Sequence, residues 1–309
     1  MLTSTPSEPE RRGDQSGTLG GFPDPPATDS ARAEPELRPR DQSGTLGGFP
    51  DPPATDSARA EPELRPRETT TDTLLRGRIT LLQPARGFRS SLDPVLLAGF
   101  LAPPFGRMLD IGCGTGALAF LLLTADPNSS GVAVELQPRL ARLARAGAAR
   151  NGFASRLAVI EGDVAALADA DLPSASFDLV ATNPPFRRTS AGLPSPDGEK
   201  ARAHHEITLT LPQWSAVAAR VVRPGGRVAA IFAAERLGEL LAQLDADGLA
   251  AARVRAVHPE ADRPATRVLV EARRAPRASL VLEPPLVVHG THGTGRRFSE
   301  EVARMLGEA

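Results

Sequence analysis

From residue 106 onward, short apolar runs alternate with longer stretches in which apolar residues recur every three or four positions. The runs are Met108–Ile111, Gly131–Glu135, Arg156–Glu161, Phe177–Thr182 and Arg227–Phe232, and each has the length and composition of a strand. Between them, Leu136–Asn151 (LQPRLARLARAGAARN) sets Leu and Ala at helical spacing and Arg on the opposite side. Strand, helix, strand repeated in this way predicts an α/β fold, a parallel sheet wrapped by helices on both faces. In such a sheet, ligands sit at the carboxyl ends of the strands, near the point where strand order reverses.

The first 67 residues break this pattern. Residues 14–40 read DQSGTLGGFPDPPATDSARAEPELRPR, and residues 41–67 repeat them letter for letter. Each 27-residue unit has Leu19, Phe22 and Leu37, or their copies, as its only large apolar residues, with no helical or strand period. Such a unit cannot bury a face, so the segment predicts a disordered Pro/Gly/acidic tail over 1–67, followed by one domain over 68–309. Twelve of the 30 prolines fall in this tail, as do 8 Arg and 12 acidic residues. The whole-chain charge of −1 therefore divides into −4 for the tail and +3 for the remainder, which leaves a nucleic-acid substrate open.

One cysteine, Cys113, excludes an intramolecular disulfide framework. Neither an apolar signal region nor an uncharged membrane-length run occurs, so a soluble cytoplasmic protein without a membrane partner is the expectation. Zero Tyr and the single Trp214 argue against RNA-binding modules built on several stacked aromatics. His204-His205 and His289 with His292 lack accompanying ligands at metal spacing, so no metal is expected.

Candidate chemistry collects at the strand ends. The first strand runs into Asp110-Ile-Gly112-Cys-Gly114-Thr-Gly116, a loop that can turn tightly and bring backbone N–H groups close to a ligand. Its G-x-G-x-G spacing differs from the dinucleotide fingerprint G-x-G-x-x-G. The second strand ends in Glu135, suited to accept from both ribose hydroxyls, and the third in Glu161-Gly162-Asp163, where Asp163 can accept from an adenine amine.

The fourth ends in Asn183-Pro184-Pro185-Phe186. An amino group conjugated to a ring or amide is a poor nucleophile because its lone pair is delocalised. Two acceptors aimed at its protons, the Asn183 side-chain oxygen and the Pro184 carbonyl, would hold the nitrogen and stabilise the charge that develops on alkylation. Pro184 and Pro185 stiffen the loop, and Phe186 offers a flat face for stacking the target.

The stretch LDIGCGTGALAF, with Glu135, Gly162-Asp163 and NPPF, resembles the S-adenosylmethionine-dependent methyltransferases of the amino-methylating type. Upstream, Asp72 to Pro84 and Gly87-Phe88-Arg89-Ser-Ser-Leu-Asp93 are similar to the tRNA1(Val) adenine-N6 methyltransferase family. The likeness continues through Arg202-Ala-His204-His205-Glu206, Arg223-Pro-Gly-Gly and Glu283-Pro-Pro-Leu-Val-Val-His289. It covers about residues 70–309, with Phe186 where many relatives have Tyr.

This resemblance implies a Rossmann-like class I methyltransferase fold with a seven-stranded, mostly parallel sheet, one strand antiparallel. Ala252–Val257, Thr266–Ala272 and Ser279–Leu282 would supply the late strands, and Ser299–Glu308 a last helix capped by Ser299. It implies S-adenosyl-L-methionine as cofactor, held by Asp110, Gly112, Gly114, Gly116, Glu135 and Asp163, with Arg89 and Asp93 over its methionyl part. Asn183, Pro184, Pro185 and Phe186 would hold the target amine, an adenine N6 in tRNA or other structured RNA.

Arg187, Arg188, Lys200 and Arg202 bracket the loop after this motif and would meet phosphates around an extruded base. The alternatives are a glutamine-N5 methyltransferase acting on release factors, another rRNA or DNA amino-methyltransferase, and a non-catalytic cofactor-binding protein. A nicotinamide-dependent oxidoreductase is disfavoured by the glycine spacing.

Overall fold

The computed structural model describes residues 68–184, 209–290 and 297–308. The tandem repeat, Pro185, Phe186, Arg187, Arg188, Lys200, Arg202, His204, His205 and His292 lie outside the described residues.

The described chain opens with an antiparallel hairpin, β1 (Thr69–Leu74) and β2 (Ile79–Pro84), pairing Thr69 with Pro84 and Leu74 with Ile79. The side-chain amide of Asn151 clamps it, accepting from Thr80 N at 2.8 Å and donating to Thr80 O at 2.7 Å as a neighbouring strand would. Then come α1 (Asp93–Phe100), β3 (Arg107–Ile111), α2 (Ala117–Ala125), β4 (Ser130–Glu135), α3 (Pro138–Arg150), β5 (Leu157–Glu161) and β6 (Phe177–Thr182). After the loop follow α4 (Leu211–Val221), β7 (Val222–Ala233), α5 (Leu237–Ala246), β8 (Leu249–His258) and β9 (Arg267–Arg274).

The central strands lie in the order β5-β4-β3-β6-β7-β9-β8. All run parallel except β9, which is antiparallel to both β7 and β8. This is the mostly parallel seven-stranded sheet with one antiparallel strand that the resemblance implies, with helices on both faces. Its interior strands are apolar on both alternations because both faces are covered. Met108 packs toward α1, α2 and α3 in one cluster, whereas Leu109 and Ile111 point the other way toward α4 and α5, where Trp214 and Leu240 are fully buried. Adjacent strands approach closely: a Cβ on Gly131 would lie 2.2 Å from the Met108 carbonyl oxygen, so only glycine fits at the start of β4.

The expected late strand over Ser279–Leu282 shrinks to β10 (Val281–Leu282), which adds two parallel pairs to the outer edge of β8, as does β11 (Leu286–Val287). Pro276 before it and Pro284-Pro285 after it lack the N–H groups that a longer ladder needs. Short strands β12 (His289–Gly290) and β13 (Arg297–Phe298) precede α6 (Glu300–Met305). As expected, Ser299 caps α6, its side chain accepting from Val302 N at 3.3 Å.

β3 has β4 on one side and β6 on the other, and the chain reverses its path across the sheet there. That arrangement opens a crevice at the carboxyl ends of β3, β4, β5 and β6. Among the described residues, no helix is long and apolar enough to cross a membrane, and no group of three or more His, Cys, Asp or Glu is placed to hold a metal ion.

Candidate active site

The crevice is a cavity of about 240 Å³. Its floor is the loop after β3, which Glu135 and the end of β4 hold in shape. Val134 O accepts from Gly112 N at 2.9 Å and Cys113 N at 3.0 Å, while Glu135 Oε2 accepts from Gly114 N at 2.8 Å and Oε1 from Gln137 N at 2.8 Å. Gly112, with φ +71°, has nothing within 4 Å of where a Cβ would sit, so its backbone faces the open cavity.

The other two glycines of the loop serve packing. The Phe88 ring lies 2.9 Å from the position of a Gly114 Cβ, and the Phe120 ring 2.6 Å from that of Gly116. Gly116, expected at the cofactor, does not line the cavity. It is the left-handed residue from which α2 starts, with Phe120 filling the space of its missing side chain.

Three carboxylates from three strand ends reach the same cavity. Asp110 is 1% exposed and accepts from Ala119 N at 3.2 Å. Burial raises its pKa from the usual carboxylate value to about 7, the Ala119 N–H pulls it back, and the Glu135 charge raises it again. Glu135 is buried, with each of its oxygens accepting from a backbone N–H. Asp163 is exposed, with Oδ1 accepting from Ala165 N at 3.0 Å.

Buried beside the acids, the Cys113 thiol is pushed well above its ordinary pKa, first by burial and then by the charges of Asp110 and Glu135, and so stays neutral. Thr115 lies in the cavity wall with its hydroxyl buried and no hydrogen-bond partner among the described residues.

Asn183 and Pro184 also line the cavity, immediately after β6. The Thr182 hydroxyl donates to Ile111 O at 2.9 Å and so locks the ends of β6 and β3 together. Arg89 also lines the cavity, tied to the hairpin by an ion pair with Asp72 and a hydrogen bond to the Thr70 hydroxyl at 2.9 Å. Behind it, buried Gln83 bonds Asp72 through Nε2 and accepts from Ser90 N at 2.6 Å through Oε1. The hairpin therefore holds the Phe88–Ser91 segment against the glycine loop.

Sequence reasoning missed two contacts here, Phe88 on Gly114 and Arg267 on Asp93. The first lies in a segment whose similarity was visible. The second joins residues 174 positions apart and has no local signature.

Residues 92–194 match the family model described as the methyltransferase small domain. The tRNA1(Val) (adenine(37)-N6)-methyltransferase of Porphyromonas gingivalis is 32% identical over 246 residues, spanning 76% of this chain and 93% of that protein. The chain belongs to this adenine-N6 methyltransferase family. A release factor glutamine methyltransferase from Cereibacter sphaeroides is 32% identical over 181 residues, 52% of this chain and 61% of that protein. The solved structure of a predicted O-methyltransferase from Agrobacterium tumefaciens superposes with a TM-score of 0.57 at 25% identity, over 70% of this chain and 97% of that one.

The methyltransferase is thus an S-adenosylmethionine-dependent enzyme that methylates nitrogen, and its cavity fits that cofactor. Among the described residues, a buried carboxylate without a cationic partner, a Thr115 hydroxyl without a hydrogen-bond partner and the open backbone at Gly112 are what a cationic, hydroxyl-rich ligand would satisfy.

Proposed function

We propose that this methyltransferase acts in the cytoplasm on tRNA, transferring a methyl group to the N6 amine of an adenine. The observation that carries the reading is the position of Asn183 and Pro184, directly after β6 and lining the same cavity as Asp110, Glu135 and Asp163. The relatives named for tRNA1(Val) adenine methylation support the substrate, as does the +3 charge of residues 68–309.

In this reading Asp110, Gly112, Gly114, Glu135 and Asp163 bind S-adenosyl-L-methionine, with Arg89 at its methionyl end. When bound, the cofactor supplies an electrophilic methyl group on a sulfonium. The Asn183 side-chain oxygen and the Pro184 carbonyl accept the two amine protons, which draws the lone pair out of conjugation and stabilises the developing positive charge. Pro185 keeps the loop rigid, and Phe186 stacks the base. Arg187, Arg188, Lys200 and Arg202 meet backbone phosphates. The alkylated nitrogen is acidic enough to lose its proton to water, so no general base is required. Residues 68–309 are the catalytic domain in this reading, and 1–67 an appended tail.

Similarity to the release factor enzyme of Cereibacter sphaeroides favours a second reading, an amide nitrogen of a protein glutamine, which the same two acceptors would hold. Incubation with labelled cofactor and separate tRNA, rRNA, DNA and protein fractions decides between them. Label is expected in N6-methyladenosine of tRNA, and label only in protein would replace the first reading with the second. Asn183→Ala should lower turnover by roughly 10²–10³-fold, the cost of removing one such polar contact to a transition state. Wild-type turnover in that variant would refute its role.

A further inference from the structure

Arg267 is the first residue of β9, and the antiparallel register sets it opposite Ala233 at the carboxyl end of β7. It lines the same cavity as Asn183 and Pro184. Its Nε donates to Asp93 Oδ2 at 3.4 Å, with Asp93 at the start of α1, and its Nη1 donates to the Thr266 carbonyl at 2.9 Å. Both side chains are only partly covered, 30% exposed for Arg267 and 15% for Asp93.

Along the carboxyl edge of the sheet, Asp110 lies near the end of β3, Glu135 ends β4, Asp163 follows β5, Asn183 follows β6, and Arg267 stands two strands beyond β6 at β9. At about 4.8 Å per strand spacing, that places the Arg267 backbone roughly 10 Å past β6, on the side away from the acids. The acidic half matches a cationic cofactor. A guanidinium beyond the target-binding residues matches an anion carried by the substrate, and the planar fork of arginine suits phosphate. A nucleotide whose base is held at Asn183 carries its phosphates on the far side of its sugar, whereas a glutamine side chain carries none.

We infer that Arg267, held in place by Asp93, binds a phosphate of the substrate strand beside the target nucleotide and so selects nucleic acid over a protein amide. The inference rests on the nucleic-acid reading proposed above. Asp93 is a positioning residue here, acting through Arg267.

The test uses the full chain with Arg267→Ala, Arg267→Lys and Asp93→Asn variants. It measures KM for tRNA at several salt concentrations and, separately, the Kd for S-adenosylmethionine by calorimetry. Loss of one phosphate contact should raise the tRNA KM about tenfold in Arg267→Ala and make log affinity less steep in log salt by about one unit. Arg267→Lys should recover the salt slope with a partly raised KM, and Asp93→Asn should give a smaller rise in KM at an unchanged slope.

A wild-type KM and slope for Arg267→Ala, on a tRNA that the unmodified enzyme methylates, would overturn the inference alone. So would a weakened cofactor Kd with an unchanged salt slope, since Arg267 would then serve the cofactor. An unmodified enzyme that labels protein and no RNA would instead overturn the nucleic-acid reading, and the inference with it.

Discussion

Two carboxylates are buried in this sheet to almost the same depth, Asp110 at 1% exposure and Glu271 at 2%, and their surroundings are opposite. Glu271, on β9, lies 3.0 Å from Arg253, 3.6 Å from Arg273 and 4.0 Å from Arg227. The first and last of these arginines also tie down the link between α1 and β3, donating to the carbonyls of Phe100, Ala102 and Pro104 at 3.2, 2.8 and 2.6 Å. Asp110, on β3, has one backbone N–H and a second acid, Glu135, nearby. The protein completes the first charge itself. Among the described residues the second has no cation beside it, and it lies in the cavity proposed to take a cationic ligand. Burial alone therefore does not mark a functional acid, whereas burial without compensation does.

The largest expected effect probes the compensated site. Glu271→Ala removes the carboxylate shared by three arginines, of which Arg253 keeps Glu283 and Arg227 keeps its carbonyls, and should lower the free energy of unfolding by about 2–3 kcal/mol in chemical denaturation, with Glu271→Gln milder and cofactor affinity little changed. A loss below about 1 kcal/mol would break the contrast. Next, Asp110→Asn keeps an acceptor for Ala119 N–H but removes the charge. It should weaken S-adenosylmethionine binding by roughly 10–100-fold, about 1.4–2.8 kcal/mol, while leaving stability at pH 8 equal or higher. Destabilisation at pH 8 with intact binding would make Asp110 structural.

The smallest effect is a dependence on pH. Because the folded-state pKa of Asp110 is raised to about 7 from 3.8, its contribution to stability is complete below about pH 4 and is lost as the pH rises through 7. Cofactor binding favours the ionised form. Affinity should therefore fall by up to about tenfold for each pH unit below 7, with proton release detectable by calorimetry in two buffers. Asp110→Asn should flatten both profiles, and an unchanged profile would assign the pH dependence elsewhere.

The alternation of strand and helix was legible because β3, β4, β6 and β7 are buried on both faces and α3 repeats its apolar residues at helical spacing, so the pattern survives in linear order. α3 lies within two residues of its expected start and one of its expected end. The hairpin was not legible as such. β1 is partly exposed throughout, and the hairpin is held through β2, by buried Ile79 and Leu81 and by the Asn151 amide 71 residues from Thr80. β10 fell short of its expected length because the prolines around it deny it hydrogen-bond donors.

Within the site, Asp110, Gly112, Glu135, Asp163 and Asn183 could be picked out because each directly follows or ends a strand, and parallel strands deliver their ends to one edge. The apolar period and the chemistry of four strand ends were thus encoded locally, since each depends only on residues within one turn or one strand. Folding alone decided the rest. Gly114 lines the cavity and also accommodates the Phe88 ring, and Gly116 accommodates Phe120. Glu271 finds its arginines, and Arg267 reaches Asp93 across 174 positions. These are contacts between side chains on different elements, set by strand order and by the antiparallel course of β9, and neither leaves a periodic trace in the chain.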